Sequence, residues 1–79
     1  MAPYTIPLAK LKTGEVAFVY KMDSGKSMTH RLTSLGFTPG VDLEMVQNFG
    51  HGPLMVSVRG TRVALGRGEA AKILVQRSK

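Results

Sequence analysis

The sequence predicts a mainly β domain, a small antiparallel β-barrel of about five strands with one short α-helix between the first two main strands. Two observations support this fold class. Apolar and polar residues alternate over most of the chain, as in half-buried strands, and only one segment has helical spacing. A chain of 79 residues also has no room for helical layers on both faces of a sheet. A strongly bent barrel, with the helix closing one end, leaves the fewest strand edges exposed.

The composition is that of a single globular domain over residues 1–79. The hydrophobic content is 43%, and the chain has no cysteine, which excludes a disulfide framework and a catalytic thiol. The longest apolar run, residues 16–20, is much shorter than the ~20 residues that a membrane helix needs. The N-terminus does not have the pattern of a signal peptide. We therefore expect a cytoplasmic protein without direct membrane insertion.

The first elements are an extended arm, a short helical turn and a strand. Residues 1–7 contain two prolines and predict the arm. Residues 8–14 predict one helical turn or a turn that leads into a strand, and Leu8 and Leu11 are expected to reach the core. The first strand, residues 15–22, is apolar on both of its faces, so both faces are expected to be covered.

The single helix is predicted from three apolar residues at helical spacing. Met28, Leu32 and Leu35 stand at i, i+4 and i+7 and would share one face. Ser27 precedes them and is a suitable N-cap. Leu32 and Leu35 are expected to plug the barrel, and Gly36 lies where a helix end needs the left-handed conformation.

A tight turn and further strands follow the helix. Pro39 and Gly40 have the residue types of a type II turn. In the next strand Val41, Leu43 and Met45 are predicted to face the core. The remaining elements are a strand at residues 54–58, a turn at Arg59 and Gly60, a hairpin partner at 61–65, a break at 66–68, one helical turn at 69–71 and a last strand at 73–75.

The positive charge is concentrated at the C-terminal end of the chain. The net charge is +6, and residues 59–79 hold six Lys and Arg against Glu69 alone. A basic surface of this kind suits nucleic acid, an anionic membrane surface or an acidic protein. The alternative is a solvated surface that keeps a small protein soluble.

No set of residues in the chain predicts catalysis. The glycines at 66 and 68 do not form a phosphate-binding loop, because the Gly-Lys-Ser/Thr ending is missing. His30 and His51 could meet around a metal, with Asp23 or Glu69 as a third ligand. The spacing of a metal site is absent, however, so surface histidines are the simpler interpretation. We expect no enzyme activity, no cofactor and no metal site.

A frame of leucines, glycines and short motifs runs through nearly the whole chain. It comprises Leu8-x-x-Leu11-x-x-Gly14, Arg31-Leu32-x-x-Leu35-Gly36-Phe37-x-Pro39-Gly40, Gly52-Pro53-Leu54, Val58-x-Gly60, Val63-Ala64-Leu65, Glu69-Ala70 and Ile73-x-Val75. With this frame the chain, from about Leu8 to Val75, resembles the FeoA family of bacterial ferrous iron uptake. The resemblance implies an SH3-like β-barrel. It also implies a partner, the membrane Fe(II) transporter FeoB, whose cytoplasmic end is a GTP-binding domain.

The partner is predicted to bind the helix, the turn after it and the basic residues that follow. Exposed apolar patches on small proteins often mark interfaces, and methionine adapts to irregular surfaces. Met28 and Met55 are further candidates for such a patch. Arg31 could act as an arginine finger toward a GTPase, or it could be an ordinary solvent-facing arginine. The predicted partner-binding residues are Arg31, Leu35, Phe37, Arg59, Arg62 and Arg67.

A basic β-barrel that binds nucleic acid is the alternative function. Such proteins stack bases on aromatic side chains. The aromatic residues here are few, and Phe18 and Tyr20 lie in the strand predicted to be most buried. Binding to a protein is therefore favoured, and no nucleic acid partner is expected. Exposed strand edges leave self-association into a homo-oligomer open.

Overall fold

A computed structural model describes residues 5–23 and 25–77 of the chain, which form one antiparallel sheet with two short helices and a 3-10 turn. The strand order is β1-β6-β2-β3-β4-β5. Strands β2 to β6 each contribute to one hydrophobic core. The predicted mainly β class with one helix between the first two main strands is confirmed. The elements are β1 Thr5–Pro7, the 3-10 turn Leu8–Lys10, β2 Val16–Met22, α1 Lys26–Ser34, β3 Asp42–Gln47, β4 Leu54–Val58, β5 Thr61–Leu65, α2 Arg67–Ala70 and β6 Ile73–Arg77.

Six strands are found where about five were predicted. The additional strand is β1, which lies within the predicted extended arm and pairs with β6 through Ile6 and Val75. It is three residues long, too short to show an alternating pattern in the sequence. The part of the arm at residues 1–4 lies outside the described residues. The predicted helical turn is confirmed, with Leu8 and Leu11 fully buried.

Strand β2 is covered on one face only, so the prediction of two covered faces is wrong. Ala17 and Val19 are buried, whereas Val16, Phe18 and Tyr20 are 41%, 42% and 43% exposed. The sheet forms a single layer around the core, and no element covers the outer side of β2 among the described residues. Apolar residues on both faces of a strand therefore do not require two packed layers here.

Strands β4 and β5 form the predicted hairpin. Val58 pairs with Thr61, and the register continues to Leu54 and Leu65. The two turn residues have positive φ, 53° at Arg59 and 80° at Gly60. A type I′ turn requires this conformation at both positions, and its twist matches that of the strands.

The helix α1 begins at Lys26, so the predicted N-cap at Ser27 is wrong. The N-cap is Gly25, which has an extended backbone and makes no side-chain capping bond. Leu32 is fully buried and plugs the core as predicted. Leu35 does not, because it lies at the helix end with 38% of its surface exposed. Neither helix of the described segments is long and apolar enough to span a lipid bilayer.

The end of α1 is fixed by a Schellman motif. The Gly36 N–H donates to the Thr33 carbonyl at 3.0 Å, and the Phe37 N–H donates to the Leu32 carbonyl at 3.0 Å. Gly36 has φ of 106°, which confirms its predicted left-handed conformation. In this motif the residue after the glycine makes an apolar contact with the last helical turn. Phe37 is accordingly fully buried in the same core as Leu32.

The predicted type II turn follows this motif directly. Gly40 has φ of 89°, and the Val41 N–H donates to the Thr38 carbonyl at 3.0 Å. The Gly40 N–H then donates to the Val19 carbonyl at 2.7 Å, which attaches the turn to β2. Beyond it, Leu43 is buried as predicted, whereas Val41 is only half-buried.

Candidate functional site

The end of α1 and the β4–β5 turn lie against each other and form a mixed apolar and cationic surface. A Cβ placed on Gly36 would be 3.2 Å from Cδ of Arg59, so the arginine side chain crosses directly over the glycine. Leu35 is the residue before this glycine and is exposed. Arg31 precedes Leu35 by one helical turn and is also exposed. We call the residues Arg31, Leu35, Arg59 and Arg62 the helix–hairpin surface.

Arg59 and Arg62 form no ion pair among the described residues. Arg62 lies on β5 opposite Ser57, and both arginines are exposed. Within residues 5–23 and 25–77, the ion pairs involve other side chains. Asp42 and Glu44 line the same surface depression as Arg59 but are not ion-paired with it. The two guanidinium groups can therefore attract an acidic partner.

Arg31 is paired with an acidic residue of α2. Its guanidinium forms an ion pair with the Glu69 carboxylate, and 52% of the Arg31 side chain remains exposed. Glu69 also accepts a hydrogen bond from the Gly66 N–H at 3.2 Å. Arg31 would have to leave Glu69 before it could act as an arginine finger.

Phe37 does not belong to any exposed patch, and its prediction as an exposed candidate is wrong. Its side chain is fully buried beneath the helix–hairpin surface. The sequence contained the signal for this, since an apolar residue directly after a helix-terminating glycine packs onto the helix. Phe37 therefore supports the position of Leu35 rather than facing a partner.

Arg67 faces away from the helix–hairpin surface, toward the opposite end of β4. Its Nε donates to the Gly52 carbonyl at 3.2 Å and its Nη1 to the Ala9 carbonyl at 3.3 Å. Its Nη2 donates to Oδ1 of Asn48 at 2.7 Å. All three guanidinium nitrogens are thus used to hold segments of this chain together.

Asn48 is the centre of this arrangement, and the sequence analysis did not identify it. Its Nδ2 donates to the carbonyls of Ala9 at 3.0 Å and Leu11 at 2.7 Å. Its Oδ1 accepts from the Gly50 N–H at 3.0 Å as well as from Arg67. The first of these acceptor bonds is an Asx turn, the one feature that an Asn two residues before a Gly could have signalled. We call Asn48, Arg67 and their acceptors the Asn48 network.

The loop of residues 48–53 extends from this network into solvent. Thr13 holds its first residue, because Oγ1 accepts from the Asn48 N–H at 2.9 Å and donates to its carbonyl at 3.2 Å. Residues 49–53 are all exposed. Phe49 is 69% exposed, the most exposed large apolar side chain among the described residues.

The residues weighed as metal ligands are not brought together. In the described parts of the chain, no group of three or more His, Cys, Asp or Glu side chains could hold a metal ion. Glu69 is engaged by Arg31, and His51 lies in the exposed loop.

The outer face of β2 changes the argument about nucleic acid. Phe18 and Tyr20 are exposed, so burial of these rings no longer counts against base stacking. The adjacent strand β3 gives a different argument against nucleic acid binding. Phe18 pairs with Asp42 and Val16 with Glu44, so carboxylates flank the apolar stripe and would repel phosphates.

Glu15 is held as a carboxylate by two neighbours. The Lys12 backbone N–H donates to its Oε1 at 2.7 Å, and Arg77 Nε lies 3.3 Å from its Oε2. The hydrogen bond from Lys12, reinforced by the Arg77 charge, lowers the pKa of Glu15 below its ordinary value, although partial burial opposes the shift.

The sheet and its single nine-residue helix define a small SH3-like β domain, as predicted. A family model described as the FeoA domain matches residues 6–77. The chain belongs to the FeoA family, which confirms the resemblance seen in the sequence.

Relatives agree with this assignment. A Methanocaldococcus jannaschii protein named "Putative Fe(2+) transport protein A" is 41% identical over 70 residues, which cover 89% of this chain and 84% of that protein. A crystal structure of the iron uptake regulatory protein FeoA has a TM-score of 0.84 at 29% identity, covering 92% of this chain and 96% of the other. Stenotrophomonas maltophilia FeoA, described as an SH3 domain protein and crystallised with zinc, has a TM-score of 0.78 at 32% identity, covering 87% of each chain.

Proposed function

We propose that this protein is a small cytoplasmic accessory protein of ferrous iron uptake that binds the cytoplasmic GTP-binding domain of the Fe(II) transporter FeoB. Membership of the FeoA family and the Fe(2+) transport name of the M. jannaschii relative support the role in iron transport. The observation that supports binding is the helix–hairpin surface, where Leu35 is exposed, the Arg59 side chain crosses the adjacent Gly36, and Arg62 is exposed on β5.

The residue types of this surface suit a protein partner. Arginine is enriched at protein interfaces, where its stem packs against apolar groups and its guanidinium reaches acidic ones. An exposed leucine supplies apolar area at the centre of such a contact. Because Arg59 and Arg62 form no ion pair among the described residues, they would also increase the rate of encounter with an acidic surface.

The structure beneath the helix–hairpin surface holds that surface in one conformation. Leu35 is followed by the Schellman motif at Gly36, and Phe37 anchors that motif in the core. The type I′ turn fixes the backbone of Arg59 in the same way. A surface that is already ordered loses less conformational entropy when a partner binds.

The proposed action is binding rather than catalysis. Arg31 is the residue considered as an arginine finger, and its ion pair with Glu69 holds its guanidinium on this protein. We therefore expect Arg31→Ala to leave the GTP hydrolysis rate of the FeoB domain unchanged. A rate that fell with this variant would show instead that Arg31 acts as a finger.

Co-purification with the isolated FeoB GTP-binding domain, with and without a non-hydrolysable GTP analogue, tests the proposal. We expect a complex with the wild-type protein and a weaker one with Leu35→Ser. Tyr20→Ser is the matched control, since it removes an exposed apolar side chain from a different face. The proposal is wrong if no complex forms in either nucleotide state, or if both variants weaken it equally.

Nucleic acid binding is kept as a second candidate because Phe18 and Tyr20 are exposed. A gel shift with mixed RNA at physiological salt separates the two functions. Tight binding that weakens steeply with salt would favour nucleic acid. We expect no shift, because Asp42 and Glu44 lie beside the exposed rings.

A further inference from the structure

We propose that the loop of residues 48–53 and the lysines beside it form a site that binds the anionic surface of a lipid bilayer. This inference goes beyond the proposed contact with FeoB and does not depend on it. The site lies at the opposite end of strand β4 from the helix–hairpin surface. The contact is peripheral, at the level of the lipid headgroups.

The apolar part of the site is a single aromatic ring at a protruding tip. Phe49 is 69% exposed, which is far above the exposure of the aromatic residues on β2. The whole tip, residues 49–53, is exposed. Rings of this kind enter the boundary between headgroups and acyl chains, where apolar area leaves water.

The cationic part of the site lies at the base of the loop. Asn48 hydrogen-bonds the carbonyls of Ala9 and Leu11, so Lys10, between these two residues, lies beside the loop. Lys12 follows Leu11 directly, and both lysines are exposed. Arg67 adds a third positive charge through its bond to Asn48.

The acidic residue closest in sequence to these lysines is already neutralised. Glu15 accepts a hydrogen bond from the Lys12 backbone and forms an ion pair with Arg77. The base of the loop is therefore positive, and its charge is complementary to a surface of anionic lipids. Basic side chains near such a surface each strengthen binding by about fivefold.

The loop is held rigid at both ends. Asn48 fixes the first residue through its bonds to the 9–13 segment, and Arg67 Nε fixes the Gly52 carbonyl at 3.2 Å. The positive φ of Gly50 and Gly52 sets the course of the chain between them. A tip that is already ordered loses little conformational entropy when it meets a surface.

A bilayer suits this shape better than an acidic protein does. Protein interfaces concentrate their binding energy in buried pockets that are shielded from water. A convex tip with one ring needs a partner that provides a matching cavity, whereas a lipid surface deforms around it. An acidic protein remains the alternative occupant and is one outcome of the test.

Tryptophan fluorescence provides the test, because the chain has no tryptophan of its own. Phe49→Trp is mixed with vesicles of equimolar phosphatidylserine and phosphatidylcholine, and separately with phosphatidylcholine alone. We expect a blue shift with the anionic vesicles only, and its loss at high salt. Tyr20→Trp, an exposed aromatic position on β2, is the control reporter and should not shift.

Vesicle co-sedimentation of charge variants gives a second readout. Lys10→Glu/Lys12→Glu should weaken binding by at least about 25-fold, since two basic groups are removed. Lys21→Glu/Lys26→Glu, with the same net charge, should weaken it much less. Equal losses would mean that only the net charge matters, and would overturn the proposal.

Three further results would also overturn it. One is a Phe49→Trp emission that does not change with anionic vesicles. Another is equal binding to both vesicle types, which would remove the role of the lysines. The last is a Phe49→Ser variant that binds vesicles normally but no longer binds the FeoB domain, which would assign the tip to a protein. The vesicle measurements use this chain alone, so failure of the wild-type protein to bind FeoB would not affect them.

Discussion

The two ends of strand β4 are built on different physical principles. At the Val58 end, the geometry is set by backbone conformation, with positive φ at Arg59, Gly60 and Gly36. At the Leu54 end, the geometry is set mainly by side-chain hydrogen bonds of Asn48 and Arg67. The Val58 end depends on tight turns, whereas the Leu54 end joins segments that are 15 to 58 residues apart in sequence.

Arginines of the same basic stretch of sequence make different contacts at the two ends of β4. Arg59 and Arg62 are exposed and unpaired within the described segments, so they are available to a partner. Arg67 is used internally by three acceptors. A basic stretch can therefore combine arginines that stabilise the fold and arginines that stay exposed without an ion pair, and only their contacts distinguish the two.

Removing the core ring at the Val58 end should have the largest effect. Phe37→Ala leaves a cavity under the Schellman motif and should lower the free energy of unfolding by about 3–5 kcal/mol. Phe49→Ala, at the exposed tip of the other end, should change it by less than about 0.5 kcal/mol. Urea denaturation measures both, and similar losses would contradict the burial difference between these rings.

Removing the centre of the Asn48 network should come next. Asn48→Ala leaves the carbonyls of Ala9 and Leu11 without this donor and releases Arg67, so unfolding should become easier by roughly 2–4 kcal/mol. The control is Gln47→Ala, the exposed neighbour on β3, which should be nearly neutral. If the two variants had the same unfolding midpoint, side-chain bonds would not hold this end.

A smaller loss is expected when the helix stop is altered. Gly36→Ala forces a residue with a Cβ into φ of 106° and within 3.2 Å of Arg59 Cδ. This should cost about 1–2 kcal/mol. Gly68→Ala has no atom within 4 Å of its added Cβ and lies inside α2 with ordinary φ, so its thermal midpoint should not fall. If Gly36→Ala were as stable as wild type, the positive φ and the close approach of Arg59 would not require glycine at this position.

The smallest effect is the pH dependence due to Glu15. Its pKa is lower in the folded protein than in the unfolded chain, chiefly through the Lys12 hydrogen bond. The resulting stability is present above the unfolded pKa and is lost as pH falls through the folded pKa, so it disappears in the acid range. Glu15→Gln should therefore flatten the decline of stability below about pH 4. Glu44→Gln is the control for the loss of one carboxylate. If stability depended on pH in Glu15→Gln as it does in wild type, Glu15 would not be the source of that dependence.

Much of the fold could be predicted because its signals are local. Alternation identified the strands, and glycine with proline identified the helix stop, the type II turn and the hairpin. The errors arose where one local pattern is compatible with two structures. The apolar outer residues of β2 have the composition of core residues. Phe18 is nevertheless exposed, because no second layer covers this face among the described residues.

The site was harder to predict because its contacts are long-range. The proximity of Arg59 to Gly36 and the bonds of Asn48 to the 9–13 segment join parts of the chain that no sequence pattern connects. Arg67 was assigned to a partner surface because its charge is visible in the sequence and its three acceptors are not. Phe37 is the exception, since the rule for residues after a helix-terminating glycine could have placed it in the core.

Calorimetric titration of the FeoB GTP-binding domain with Arg59→Glu/Arg62→Glu tests the proposed function most directly. Both residues are exposed turn or strand positions, so circular dichroism should show an unchanged fold. We predict affinity at least about tenfold weaker than wild type, because like charges would then face the partner. The control Lys21→Glu/Lys72→Glu carries the same net charge and should bind nearly as well as wild type. Unchanged affinity of Arg59→Glu/Arg62→Glu would contradict docking through the helix–hairpin surface.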